Sequence, residues 1–382
     1  MTASGIRTWY GVHKWSSLVC TAFLLLLCLT GLPLIFSDEI EALQDGVHAA
    51  AVAPGTPDAA LDRVVQTAQA RYPGQAVLFL YWDEHRPHTV QVALTPEPKD
   101  PDAAHRVAID ARTAQVLDEP GPERGFMHVM LQLHVELFAG LPGELFLGVM
   151  GLLFAASLLS GAVVYGPFMR RLEFGTVRLD RSRRMKWLDL HNLLGIVTLA
   201  WAAVVGLSGV LNTISTPLFM LYQSRALPAL LAPYAGKPLP QRFSPVQAAV
   251  DEARRALPGR EIGSVSFPGN PYGSPRHYLV WTHGGTVLTS QLYTPVLVDA
   301  ETGAVVKAQG LPWYLRAIEM SRPLHFGNYG GLPLKLLWAL LDLVTIFVLG
   351  SGLYLWLLRR RSPLLARIAA LERGEIPQQA AP

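Results

Sequence analysis

Four histidines stand at spacings that occur twice in this chain of 382 residues. The interval from His13 to Thr30-Gly31 equals that from His191 to Ser208-Gly209. The longer interval from His134 to Ser160-Gly161 likewise equals that from His325 to Ser351-Gly352. Gly140-Leu-Pro142 and Gly331-Leu-Pro333 each begin six residues after their histidine. A single histidine at a membrane edge is ordinarily a snorkelling or hydrogen-bonded side chain. Four that share a duplicated spacing predict pairs, and a neutral imidazole is a good metal ligand. Two imidazoles on facing helices are what a haem iron needs as axial ligands in a bundle core. We therefore expect His13 to pair with His191 and His134 with His325, each pair holding one haem. Two axial ligands leave no open iron position, which favours electron transfer over oxygen chemistry. No C-x-x-C-H run is present, so c-type attachment is excluded. The two cysteines, Cys20 and Cys28, lie eight residues apart on one predicted helix and read as buried packing residues.

The elements that would hold these histidines are apolar runs. Between Lys14 and Asp38 there is no Asp, Glu, Lys or Arg, and the same holds between Glu144 and Arg170. A longer uncharged run lies between Asp189 and Arg225, with the span at about 190–214, and Lys335 to Arg359 encloses a fourth broken only by Asp342. About 20 apolar residues suffice to cross a bilayer, so four transmembrane helices are expected. The alanines at 49–53 lie too far beyond the first apolar core for signal cleavage, so the first span is read as retained. Arg7, Lys14, the Arg170–Lys186 loop and Arg359–Arg361 all fall on one side of a four-span chain, and the positive-inside rule makes that side cytoplasmic. A composition of 51% hydrophobic and 16% charged residues fits a membrane protein with soluble parts, and a net charge of +3 gives no reason to expect a nucleic-acid partner.

The long segments at 38–125 and 215–322 then face the periplasm or cell exterior, and each reads as a small α+β module. In the second, Ser244 is an N-cap candidate for a helix through Leu257, with Pro245 in its first turn. Strands follow at Ile262–Phe267, Tyr278–Trp281 and Tyr293–Val298, then the turn Asp299-Ala-Glu-Thr-Gly303 into Ala304–Val306. In the first, a helix near Asp58–Arg71 precedes strands at Ala76–Trp82, Thr89–Leu94 and Arg106–Ile109, then Asp110-Ala-Arg-Thr-Ala114 leads into Gln115–Leu117. The fold expected is thus a membrane α-helical protein of four transmembrane helices, built from a duplicated helix–module–helix unit with two periplasmic α+β modules. Its divisions are 1–37 (N-terminus and first span), 38–125 (module), 126–170 (outer histidine segment and second span), 171–187 (basic loop), 188–214 (third span), 215–322 (module), 323–358 (outer histidine segment and fourth span) and 359–382 (cytoplasmic tail).

Other residues are candidates with an ordinary reading beside the functional one. His128, six residues before His134, is a rival outer ligand, but Glu319 stands where its repeat partner would be. Asp342 is an acid inside a span; it could orient a ligand, carry a proton, balance an arginine or simply pair within the bundle. Arg7, Arg184 and Lys186 inside, and Arg316, Arg322 and Lys335 outside, could meet haem propionates or anchor the membrane edge. Gly31 and Gly209 fall about 25 Å along their helices from His13 and His191, at the outer level, where small residues would make room for a macrocycle or pack helices. Trp9, Trp15, Trp187, Trp313 and Trp338 read as an interfacial belt, with an electron relay as the rival role. His48, His85, His88, His105, His277 and His283 read as surface or structural residues of the modules, with substrate or metal contact as the rival.

At Gly11-Val-His-Lys-Trp15, Leu133-His134, Leu190-His-Asn-Leu-Leu-Gly195, Leu324-His-Phe-Gly327, Gly352-Leu-Tyr-Leu-Trp356 and the four Ser/Thr-Gly pairs, the chain resembles the PepSY-associated transmembrane family. The outer modules look like PepSY domains, the first departing by Ala114 where a glycine is usual. The resemblance is nearest to the inner-membrane ferric-siderophore (ferrioxamine) reductases. It implies two b-type haems, an oxidoreductase and reduction of ferric siderophore iron on the periplasmic side of the bacterial inner membrane. The stretch after Arg361 is too short to hold a fused flavin reductase, so none is expected, and the electron donor would be a quinol or a cytoplasmic reductase. Two other expectations stand beside this one. One is a non-catalytic PepSY sensor or scaffold binding a peptide or partner protein. The other is a permease, which four spans with almost no intramembrane charge make a poor fit.

Overall fold

The structure is a computed structural model that describes residues 3–44, 49, 51–82, 86, 88–98, 100, 103–120, 125–169, 173–286 and 289–360. His48, His85, Arg170, Arg171 and Arg361 lie outside the described residues. In chain order come α1 (Ala3–Leu34), α2 (Ser37–Gln44), α3 (Leu61–Arg71), β1 (Ala76–Trp82), β2 (Thr89–Thr95), β3 (His105–Asp110), β4 (Val116–Asp118), α4 (Phe126–Val135), α5 (Leu141–Met169) and α6 (Arg183–Thr213). There follow α7 (Ser215–Leu221), α8 (Leu227–Leu231), α9 (Val246–Ala256), β5 (Arg260–Ser266), β6 (His277–Gly284), β7 (Thr294–Asp299), β8 (Val305–Ala308), α10 (Trp313–Phe326) and α11 (Gly331–Arg360).

These elements form two compact units. One holds the described residues up to Ile35, Met130–Thr213 and those from Leu324 on. Its four long helices are apolar enough to cross a membrane over Ser4–Leu34, Leu141–Gly166, Arg183–Thr213 and Asn328–Leu358. α5 and α11 begin with Leu-Pro and Gly-Leu-Pro, where proline's missing N–H is harmless because first-turn amides have no helical partner. The helices close a ring: α1 packs on α5 and α11, and α6 packs on the same two. α1 and α6 therefore lie diagonally across the bundle. Glycines let α5 and α6 meet closely, for a methyl on Gly148 would sit 2.5 Å from Thr213 Oγ1 and one on Gly151 2.6 Å from Val210 Cγ2. Leu159, Val197 and Leu340 are each more than half exposed on the outside of the ring. Apolar side chains in such numbers suit lipid rather than water.

The second unit holds Phe36–Val129 and Ile214–Pro323. Its strands form one antiparallel sheet in the order β4-β3-β2-β1-β5-β6-β7-β8. The two four-stranded groups join where β1 pairs with β5, Leu80 opposite Val265. One face of this sheet carries Leu80, Val90, Val92, Val107, Val265, Val280, Val296 and Val298, and α3 and α9 pack on it. Both helices bury residues at i, i+3, i+4 and i+7: Leu61, Val64, Val65 and Ala68 in one, Val246, Ala249, Val250 and Ala253 in the other.

The capping of these helices differs from expectation. The expected helix near Asp58 begins at Leu61, and Ser244 does not cap α9, since Pro245 occupies the N-cap position without a side-chain bond. Asp62 of α3 instead accepts the Val246 and Gln247 amides at 2.9 and 3.2 Å, while Gln247 Oε1 accepts the Leu61 amide at 3.1 Å. Each helix thus satisfies the other's first-turn N–H groups, an exchange that no local sequence signal announces.

The two acid turns are built alike. Asp299 Oδ1 accepts the Glu301 and Thr302 amides at 3.0 Å each, and Asp110 Oδ1 accepts those of Arg112 and Thr113 at 2.8 and 3.0 Å. Burial opposes charge on Asp299, but the Thr302 and Glu301 amides and Arg276 outweigh it and hold the carboxyl below its ordinary range. Gly303 adopts φ +72°, and Ala114 takes the same left-handed turn at φ 56°. That region costs an L-residue about 1–2 kcal/mol. A methyl on Gly303 would meet Ser244 no closer than 3.6 Å, so its cost is conformational alone. Ala114 is 5% exposed, so Ala114→Gly loses about 0.8 kcal/mol of methyl burial, and glycine's own chain entropy offsets more of the relief. Thermal unfolding of the full chain in detergent should show Gly303→Ala losing about 1 kcal/mol while Ala114→Gly stays within about 0.5 kcal/mol of the parent.

Candidate metal centre

The diagonal ring of helices brings the four histidines together in two pairs. The His13 and His191 ring centroids lie 6.4 Å apart, and those of His134 and His325 lie 6.1 Å apart. An imidazole nitrogen ligates a first-row metal at about 2.0 Å with its ring centre about 1.1 Å behind, so two rings across one ion have centroids about 6.2 Å apart. Both separations meet that requirement.

Each ring is aimed by a helix backbone. His13 Nδ1 donates to the Ser157 carbonyl at 2.9 Å, His134 Nδ1 to Leu27 at 3.1 Å, His191 Nδ1 to Val348 at 3.1 Å and His325 Nδ1 to Val205 at 2.9 Å. A carbonyl only accepts, so the proton sits on Nδ1 and the lone pair on Nε2. Such outer hydrogen bonds fix tautomer and ring direction for metal-binding histidines generally.

The carbonyls used, at 27, 157, 205 and 348, each lie three residues before a Ser or Thr of the Ser/Thr-Gly pairs. Those hydroxyls are buried: Thr30, Ser160, Ser208 and Ser351 are each 5% exposed or less. Thr30, Ser160 and Ser208 donate to the two carbonyls one turn back, and Ser351 to Val348. Thr30, Ser208 and Ser351 also approach the Nδ1 of His134, His325 and His191 at 3.0, 3.4 and 3.0 Å. The glycines complete the cradle. A methyl on Gly31, Gly161 or Gly209 would lie 3.0 Å from Cε1 of His134, His13 or His325, and one on Gly352 3.2 Å from Cε1 of His191. What fills the space beside Gly31 and Gly209 is therefore an imidazole edge, where a macrocycle was expected. The spacing hinted at the outer level for these two but gave no sign that Gly161 and Gly352 do the same for the other pair.

The remaining candidates sort by position. His128 stands six positions before His134, which at about 3.6 residues per turn is not a whole number of turns. It therefore faces elsewhere, and it is His134 that meets His325. Arg316 is held by Glu319 at 2.9 Å and Thr294 at 3.3 Å within the sheet-bearing unit. Arg7, Arg184, Lys186 and Arg322 are exposed, and Lys335 is buried at 6%. Asp342, 7% exposed, has no arginine at hand among the described residues; the Cys28 thiol is its hydrogen-bond partner. Trp338 is not part of a belt: it is 8% exposed and packs edge-on to Trp201 at 6.4 Å. Trp15 and Trp313 are exposed, and Trp187 stacks on Phe347. In the other unit, His105 lies against Tyr72 at 4.1 Å, His277 against Tyr234 at 4.6 Å and His283 against Tyr293 at 5.7 Å, as packing residues do.

The pattern of the PepSY-associated TM region matches residues 10–359, which takes in all four histidines and both sets of strands. The chain belongs to the PepSY-associated TM family. It is also 28% identical over 267 residues to the uncharacterized protein PA4219 of Pseudomonas aeruginosa, covering 65% of this chain and 67% of that one.

The donor set of this PepSY-associated chain fits haem. Two imidazoles are too few for a bare ion, and among the described residues no group of three or more His, Cys, Asp or Glu side chains is placed to hold one. An iron that already carries four macrocycle nitrogens needs only these two. The glycine contacts can be tested directly. Gly31→Leu with Gly209→Leu should displace His134 and His325 and leave His13 and His191 in place. If each pair holds one haem, pyridine haemochrome should count half the parent's haem per chain, whereas loss of all of it or of none would contradict the pairing.

Proposed function

We propose that this protein carries electrons across the bacterial inner membrane through two b-type haems and reduces ferric siderophore iron at the periplasmic face, releasing ferrous iron. The observation that carries the electron-transfer reading is the pair of histidine sites, each with Nδ1 bonded to a carbonyl and ring centroids 6.4 or 6.1 Å apart. His13 and His191 would hold the cytoplasmic haem and His134 and His325 the periplasmic one, and a haem so held supplies reversible one-electron transfer. The carbonyls of Ser157, Val348, Leu27 and Val205 hold each imidazole's proton on Nδ1 and fix the ring's direction, so little rearrangement accompanies a change of charge. α1 spans both levels, since Gly31 touches His134 and lies about 27 Å along the helix from His13. Basic residues on the 170–186 loop favour the cytoplasm for that side and for both termini.

The sheet-bearing unit is read as two PepSY modules facing the periplasm, halves of a duplication. The mirrored strand order, the exchanged caps of Asp62 and Gln247, and the like turns at Asp110 and Asp299 support this. The ferric siderophore as substrate, and a quinol or cytoplasmic reductase as donor, rest on the resemblance to ferrioxamine reductases. Siderophore oxygens are hard ligands that favour ferric over ferrous iron, so reduction would loosen the chelate.

Purified protein is expected to show a Soret band and two haems per chain, with one haem left in His13→Ala/His191→Ala and one in His134→Ala/His325→Ala. A colourless protein would favour a scaffold instead. Anaerobic mixing of the dithionite-reduced protein with ferrioxamine should reoxidise the haem; failure to do so sinks the substrate and spares the haem.

A further inference from the structure

Asp342 is the acid that stands in the middle of a span. It lies on α11 and is 7% exposed. The Cys28 thiol of α1 hydrogen-bonds its carboxylate, and among the described residues Oδ2 has no partner. One turn earlier on the same helix, the Trp338 indole N–H is also buried without a partner among the described residues, as is that of Trp201, whose ring meets Trp338 at 6.4 Å. A carboxylate in such a place is disfavoured unless positive charge lies nearby or a proton neutralises it.

The groups around it leave few choices. From α1 the titratable neighbour is Cys28. α6 brings His191 and Asp189 towards its start, and Asp189 is already held by Arg178 at 2.6 and 2.9 Å. The turn at 328–330 brings Tyr329, which lies against Trp338. α11 itself brings Lys335, two turns nearer its start, and Tyr354 near its end. The His134–His325 site lies at the same level of α1 as this carboxyl, because Cys28 follows Leu27, whose carbonyl receives His134 Nδ1 at 3.1 Å.

We propose that Asp342 is the proton acceptor that balances charge at the His134–His325 site, ionised while that site is oxidised and protonated once it is reduced. This rests on the reading of that pair as a haem site. One electron enters from a quinol or reduced flavoprotein, and one proton from water forms the O–H bond at Asp342 Oδ2. When the electron leaves to a ferric chelate, that O–H bond breaks and the proton returns to water. Cys28 is a positioning residue, fixing the other carboxylate oxygen so that Oδ2 faces the unpartnered space.

The experiment is a potentiometric titration of the full chain in detergent, followed optically across the neutral pH range. His13→Ala removes the cytoplasmic site, so the remaining signal belongs to the His134–His325 pair. In that background the midpoint is expected to fall as pH rises, by up to about 59 mV per pH unit, the tenfold equivalent for one electron. Asp342→Asn should flatten the dependence at the parent's acid limit while keeping the same haem content, and Asp342→Glu should restore the slope. A slope unchanged in Asp342→Asn, or a flat parent, overturns the proposal and leaves the haem reading intact. A protein without a Soret band overturns both.

Discussion

An imidazole presents a lone pair at Nε2 only while something keeps its proton on Nδ1. In this chain a helix backbone does that four times, through the carbonyls of Ser157, Leu27, Val348 and Val205. These carbonyls belong to α helices, where each C=O already receives an N–H and must accept a second donor from the side. That is possible only where the neighbouring helix comes close, and the glycine next to each Ser or Thr provides the closeness. The bonding of the ring, the small residue beside it and the packing of adjacent helices are therefore one constraint. If the helices separated, all four rings would lose direction together.

The same constraint explains why the pairs are diagonal. Each histidine is anchored to an adjacent helix: His13 on α1 to α5, and His191 on α6 to α11. Anchoring at the side turns Nε2 towards the bundle axis, where the opposite member of the pair points as well. The donor arrangement suits a planar group bound on both faces, because the two rings approach from opposite corners of the ring of helices.

The sheet-bearing unit answers to a different requirement. Two four-stranded groups of the size found here would each leave an edge strand exposed, and edges invite unwanted pairing. Joining them through β1 and β5 removes one edge from each, and the exchanged caps of Asp62 and Gln247 tie the helices above that seam. The result is a single apolar core shared by α3 and α9.

Much of this was legible in the residues. Strand Ala76–Trp82 falls where alternation and flanking turn residues put it, and the other seven strands lie within two residues of their expected bounds at nearly every end. The four spans follow from run length and the absence of charge, because burying a charge in lipid dominates every competing preference. The histidine pairs follow from the two repeated intervals, since a fixed rise per residue sets the level of each side chain along a span. Contacts between elements were beyond reach. Nothing local distinguishes Ser244, which looks like a cap, from Asp62, which acts as one on a helix far along the chain. Trp338 has the sequence position of a belt residue, yet the fold turns it inward onto Trp201. Asp342 could be seen as an acid in a span, but its partner is Cys28, a residue that by sequence was only packing. Periodicity sets which residues share a level and a face, because helices and strands have fixed rise and rotation. Which neighbour each face meets is decided by how several helices pack at once, and that is a property of the tertiary structure alone.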